Sequence, residues 1–184
     1  MKNKAANQDI TIIDEEVCMK EDEFIVSKAD LRGHLTYVNR IFMEMALLNE
    51  DQLLGINHNI IRHPSMPKGV FKFLWMTIKK EREFFGYIKN VRSDGRYYWV
   101  FANITPEYNE NGKLSGYLSV RRTPPASAIA VIQPIYEQMI KIEESATSKK
   151  VAEEKSLAFL HQQLDDLNVK YQDFVINLFN EHRG

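Results

Sequence analysis

Apolar and polar positions change their period three times along the chain. Between Phe24 and Asn39 they form two short runs, FIVSKAD over 24–30 and HLTYVN over 34–39, divided by Leu31-Arg32-Gly33. This predicts two strands joined by a short glycine turn. Residues 40–54 change to helical spacing with a break at Asn49-Glu50-Asp51, where Asn or Asp caps a new turn. The segment 58–67, HNIIRHPSMP, is bracketed by Gly55 and Pro67 and is too short for a long helix. Pro67 opens 68–80, where Val70, Phe71, Leu74 and Ile78 fall on one stripe, so a helix is predicted there. Strand-like runs return at 84–92, 96–106 and 113–122, separated by Ser93-Asp94-Gly95 and Glu110-Asn111-Gly112. Asp-Gly and Asn-Gly between such runs predict an antiparallel meander.

From Ala126 onward the spacing is helical again. Ile129, Ile132, Tyr136 and Met139 form a first stripe. Leu157, Leu160, Leu164, Leu167, Tyr171, Phe174 and Leu178 then follow a heptad seam, which Asn168 interrupts if it caps one helix and restarts another. Such a seam packs within its own chain or joins two chains, and a homo-oligomer is the expectation. The division expected is a loosely attached lead-in over 1–22 with a short strand or helical turn, a compact α+β unit over 23–123 and a helical tail over 124–184. The fold class is α+β, a five-stranded antiparallel sheet with short helices on one face followed by the C-terminal helical tail.

Aromatic residues sharpen this picture. They make up 11% of the chain, so an 18-residue window should hold about two, yet 84–101 holds seven. In the run 96–106 alternation puts Tyr97, Trp99, Phe101 and Asn103 on one face and Tyr98, Val100, Ala102 and Ile104 on the other. Both sets are apolar enough to be buried, which predicts a sheet covered on both sides. Gly86, Ala102 and Ser119 are small residues that leave room for a flat ring.

Composition excludes more than it selects. Among 184 residues, 24 Lys and Arg oppose 25 Asp and Glu, so no charge excess favours nucleic acid or an anionic membrane. The one cysteine, Cys18, rules out an internal disulfide, a CxxC pair and a cysteine zinc site, and suits a reducing compartment. No apolar run is long enough for a secretory signal or a bilayer span, and a cytoplasmic protein is expected, without membrane insertion. His58 and His63 lie five apart rather than at metal-binding helical spacing. No P-loop, GxGxxG, nucleophile elbow or CxxCH occurs, and enzymatic activity is not expected.

The stretch DLRGHLTYVNRIF, then HN-x-x-RHP-x-MP over 58–67 and KN-x-x-x-x-G-x-x-YWV-x-AN over 89–103, ending in GYLSVRR, resembles a PAS domain. More narrowly, it is similar to the flavin-binding PAS domains of aerotaxis receptors and energy-taxis proteins. The resemblance implies a sensor that holds FAD non-covalently and reports its redox state to a separate methyl-accepting chemotaxis-type signalling protein. It carries a cofactor role onto Arg62, as a phosphate partner, and His63, as a hydrogen-bonding group. Where the family motif usually has Asp this chain has Ser65, and where it often has Trp this chain has Phe84; a serine still donates a hydrogen bond and a phenylalanine still stacks.

Asn90 shares a strand face with Phe84, Gly86 and Ile88, and its amide both donates and accepts, as a flavin edge requires. Trp75 either walls the pocket or belongs to the core. His58 is a candidate ligand contact or a helix-start residue, and Arg121 either reaches the pocket or pairs with an acid. A cysteine adduct with flavin is not expected, because Cys18 lies outside the central unit. The alternatives are a cofactor-free PAS scaffold, favoured by Ser65 and Phe84, and a haem-binding gas sensor held by one histidine.

Overall fold

Gly33, at φ +85°, turns the chain between β1 (Ile25–Ala29) and β2 (Leu35–Val38), a backbone state that glycine adopts without cost. The computed structural model describes residues 10–181; residues 1–9 of the lead-in and 182–184 of the tail lie outside the described residues. Asn39 ends β2 and starts α1 (Arg40–Ala46). Its side-chain oxygen accepts from the Phe42 and Val26 amides at 3.0 and 3.1 Å, fixing the helix start against β1. Leu47 in the left-handed region stops α1, and Asn49 opens the short α2 (Glu50–Leu53), as the Asn-Glu-Asp break predicts. A single 3-10 turn, His58–Ile61, precedes α3 (Lys68–Ile78).

The meander forms as β3 (Phe84–Val91), β4 (Tyr97–Tyr108) and β5 (Leu114–Arg122). All pairings are antiparallel and the sheet order is β2-β1-β5-β4-β3. The connection from β2 to β3 therefore runs from one sheet edge to the other and lays the short helices across one face. Register aligns Asn90 with Tyr98, Ile88 with Val100, Ile104 with Ser119, and Ser119 with Ser27. These residues share the helix-covered face; Tyr87, Lys89, Trp99 and Phe101 point the other way.

The opposite face is covered by the chain's own tail. α4 (Ala126–Glu144) brings Tyr136 beside Trp99, and its hydroxyl donates to the Tyr87 carbonyl at 2.9 Å. α6 (Tyr171–Glu181) stacks Phe179 on Phe101 at 4.5 Å and accepts the Tyr87 hydroxyl at the Val175 carbonyl, 3.1 Å away. Between them α5 (Lys149–Asp166) packs on α3. Gly69 permits this contact, because a Cβ there would lie 2.6 Å from Ser156 Oγ and 2.8 Å from the Leu157 amide nitrogen.

The structure sharpens two expectations. Of the two forms open to the heptad seam, it has the interrupted one. Asn168, at φ +51°, breaks the helix, leaves Leu167 61% exposed, and shifts the buried set of α6 to Val175, Leu178 and Phe179. Leu157, Leu160 and Leu164 are buried against the same chain. The described part of the lead-in is also better attached than its composition suggests. β5 ends opposite Phe101, so the first residues of β4 lack a neighbour on that side, and the lead-in pairs there. Val17 donates to Tyr97 O at 2.8 Å, Tyr97 to Glu15 O at 3.1 Å, and Met19 enters the core.

Candidate cofactor cavity

Between the inner sheet face and α3 lies a cavity of about 550 Å³, within the range of small-molecule sites. Its walls are apolar: Phe71, Leu74, Trp75 and Ile78 from α3 face Ile88 and Ile104 from the sheet. The Gly33 turn closes one side. A Cβ there would sit 3.1 Å from the Trp75 ring, so glycine lets the hairpin approach the indole.

A polar cluster sits against these walls. Arg121 is 3% exposed, and no carboxylate among the described residues pairs with it. Its Nε donates to Ser119 Oγ at 3.0 Å and its Nη2 to His58 Nε2 at 2.6 Å. Accepting at Nε2 places the His58 proton on Nδ1. Burial, and next the Arg121 guanidinium, hold His58 well below its ordinary pKa, so the ring is neutral at pH 7. Burial also draws Arg121 down to about 10, still charged. Two buried donors on lining side chains have no protein partner, Arg121 Nη1 and Asn90 Nδ2. A buried cation without an acid and an amide with a spare donor are both costly unless a ligand acceptor meets them.

The cavity brings together four of the seven predicted site residues, Arg62, Asn90, Trp75 and His58, and adds Arg121 and Ser119. It does not include His63, Ser65 or Phe84. Arg62 bridges to Asn90 at the β3 edge in extended backbone, so it and its neighbour His63 point to opposite sides. Arg62 lies on the cavity side with its guanidinium 3.9 Å from the Phe71 ring centre and a hydrogen bond to Met66 O at 2.9 Å. His63 points toward Tyr97 and Lys89. Its Nδ1 accepts from the Ser65 amide and hydroxyl at 3.1 and 2.6 Å, so Ser65 orients this ring.

Phe84 is buried between the tail and α3 instead: it stacks on Tyr171 of α6 at 5.7 Å and meets Phe73 of α3 edge-on. The room expected at Gly86 is occupied by Phe84 and Tyr171, and only Ser119 of the three small residues lines the cavity. Of the two readings open for Arg121 the structure has the one that reaches the cavity, and Ser119 lines it as a small residue on the same strand. Their convergence with His58 was not legible in the sequence, since it depends on where the 3-10 turn lands. Among the described residues no cluster of His, Cys, Asp and Glu could hold a metal, and no helix is long and apolar enough to cross a membrane.

Residues 35–121 match the family model described as PAS fold, and this sheet with its crossing helices is a PAS domain. Its curated relatives include signalling proteins. The chain is 37% identical to the aerotaxis receptor of Escherichia coli (strain K12) over 121 residues, 66% of this chain and 24% of the receptor. It is 30% identical to the nitrogen fixation regulatory protein of Klebsiella pneumoniae over 97 residues, 53% of this chain and 20% of that protein. The chain thus spans a quarter or less of these curated relatives. Among solved structures, the light-state LOV domain of the blue-light photoreceptor Aureochrome1 superposes with a TM-score of 0.52 at 21% identity, covering 62% of this chain and 90% of that one. The LOV domain of the Erythrobacter litoralis EL346 blue-light activated histidine kinase gives 0.50 at 24% identity, covering 53% and 93%. These two likenesses concern the fold.

Proposed function

We propose that the chain is a cytoplasmic redox sensor that binds FAD non-covalently in this cavity and passes the flavin's state to a chemotaxis-type signalling partner, without catalysing a reaction itself. The observation that carries the reading is the pairing of flat apolar walls with two unmatched buried donors, Arg121 Nη1 and Asn90 Nδ2. An isoalloxazine ring has that character: apolar faces and an edge rich in acceptors. The donor set therefore fits the group. Similarity to an aerotaxis receptor and to a nitrogen fixation regulator supports a signalling role.

When bound, a flavin supplies a reversible electron couple. Arg121 holds a fixed positive charge at the polar end of the cavity, where low dielectric makes it felt more strongly than in water. Neutral His58 orients that guanidinium by accepting from Nη2 without competing for the ligand's negative charge. Asn90 donates from β3. Because neighbouring strand residues face opposite sides, a shift at Asn90 or Ile88 is felt at Lys89 and Tyr87, which face away from the cavity.

The test is the absorbance spectrum of freshly purified full chain, followed by titration of FAD into any colourless fraction. Flavin bands, or saturable FAD uptake, are expected. Absence of both overturns the reading, and a Soret band in their place would reassign the cavity to haem.

A further inference from the structure

α3 has a second working face. Phe71, Trp75 and Lys79, four residues apart in sequence, form a ridge that borders the cavity on one side and a second space of about 670 Å³ on the other. Arg62 borders both spaces as well. The second space is a groove between α3 and the first turns of α5. Its lining holds five cationic side chains, Arg62, Lys68, Lys72, Lys79 and Lys149, and one carboxylate, Glu153.

The ion pairs around this groove are loose. Lys68 reaches Glu143 at 3.8 Å, Lys72 reaches Glu154 at 3.7 Å, and Lys149 reaches Glu153 at 3.9 Å. None of these is close hydrogen-bonding geometry, so the ammonium groups stay available to a stronger acceptor. Lys79 lies 5.6 Å from the Trp75 ring, at the ridge itself. A chain net charge of −1 makes five cations on one groove a local feature rather than a reflection of composition.

We propose that this groove receives the diphosphate-bearing half of a flavin dinucleotide, and that the tail helix α5 is therefore part of the cofactor site. The inference rests on the flavin reading of the deep cavity and deepens it. The ring system occupies the apolar cavity, the side chain crosses the ridge past Arg62 and Lys79, and the second phosphate, which FMN lacks, lies between Lys72 and Lys149 with the nucleoside beyond it. Two consequences follow from the geometry. The site selects a dinucleotide over a mononucleotide, and the bound dinucleotide joins α5 to α3.

The experiment uses the full chain stripped of any flavin, titrated with riboflavin, FMN and FAD by fluorescence quenching. FAD is expected to bind about tenfold or more tightly than FMN, the worth of one charge-assisted hydrogen bond to phosphate. The double variant Lys72→Glu and Lys149→Glu, at partly or largely exposed positions, is expected to remove that difference while leaving riboflavin affinity unchanged. In the unmodified chain, FAD but not FMN is expected to slow tryptic cleavage after Lys149 and Lys150. Equal binding of FMN and FAD, or an FAD preference that survives the charge reversal, overturns the groove assignment alone. Failure of all three flavins to bind overturns the flavin reading as well.

Discussion

Arg121 concentrates the question of whether the cavity is a site or a core defect. A guanidinium 3% exposed, with one donor unmatched and no acid partner among the described residues, destabilises the empty protein. Arg121→Met keeps the bulk and removes the charge. The flavin-free variant should melt at the same temperature as the parent or higher, while its FAD affinity falls about tenfold or more. A fall in both would make Arg121 a structural group. His63 behaves differently, because burial, and next Lys89, draw its pKa down from 6.5 to about 4. The folded state then holds the neutral ring while the unfolded chain takes a proton below about pH 6.5. Stability contributed by the neutral form is complete above that pH and is lost as pH falls toward 4, by roughly 3 kcal/mol at the full shift. Urea denaturation at pH 7.0 and 4.5 should show this loss, with His58 acting in the same sense, and His63→Gln should remove part of it.

Among the elements, α3 has the most partners: the cavity on one face, the basic groove on a second, and α5 at its start. At Gly69 the α5 backbone lies directly against α3, and Glu143 of α4 accepts from the Gly69 amide at 3.0 Å. Gly69→Ala places a methyl group against the Leu157 backbone, which cannot rotate away, so α5 must shift. A loss of about 1–3 kcal/mol is expected in urea denaturation, as for other overpacked contacts, with faster hydrogen exchange in α5. This contact also marks how far the sequence could be read. Strands and turns were legible because Asp-Gly, Asn-Gly and period two are local signals, and so was the capped break at Asn49. The cavity lining was legible where a residue lies on a regular strand, as at Asn90, or on a regular helix, as at Trp75. It was not legible at His63, whose side is set by an edge bridge between Arg62 and Asn90 far away in sequence. Nor was it at Phe84, which Tyr171 covers. In the tail a heptad count runs straight through Asn168, and its residue type, which tolerates the left-handed backbone found there, was the local signal for the break.

At the scale of the whole molecule the sheet is a thin wall between two occupied faces, with the candidate site, α3 and α5 on one and the tail helices α4 and α6 on the other. Alternate residues of β3 serve the two sides: Asn90 and Ile88 line the cavity, while Tyr87, fully buried, donates to Val175 O of α6 and offers its own carbonyl to Tyr136 of α4. Any displacement of β3 that follows a change at Asn90 must therefore be taken up by α4 and α6. Tyr87→Phe separates sensing from output, since it deletes only the hydroxyl that reaches α6 and leaves every cavity side chain in place. The expected cost in stability is about 1 kcal/mol, the net value of one buried hydrogen bond. FAD affinity should be unchanged. Hydrogen exchange in α6, measured with the flavin oxidised and then reduced, should differ between the two states in the parent and lose most of that difference in Tyr87→Phe. If α6 in the parent exchanges identically in both states, the tail on this face is a cover rather than an output. The signal would then leave by the β2 edge or by the short helices.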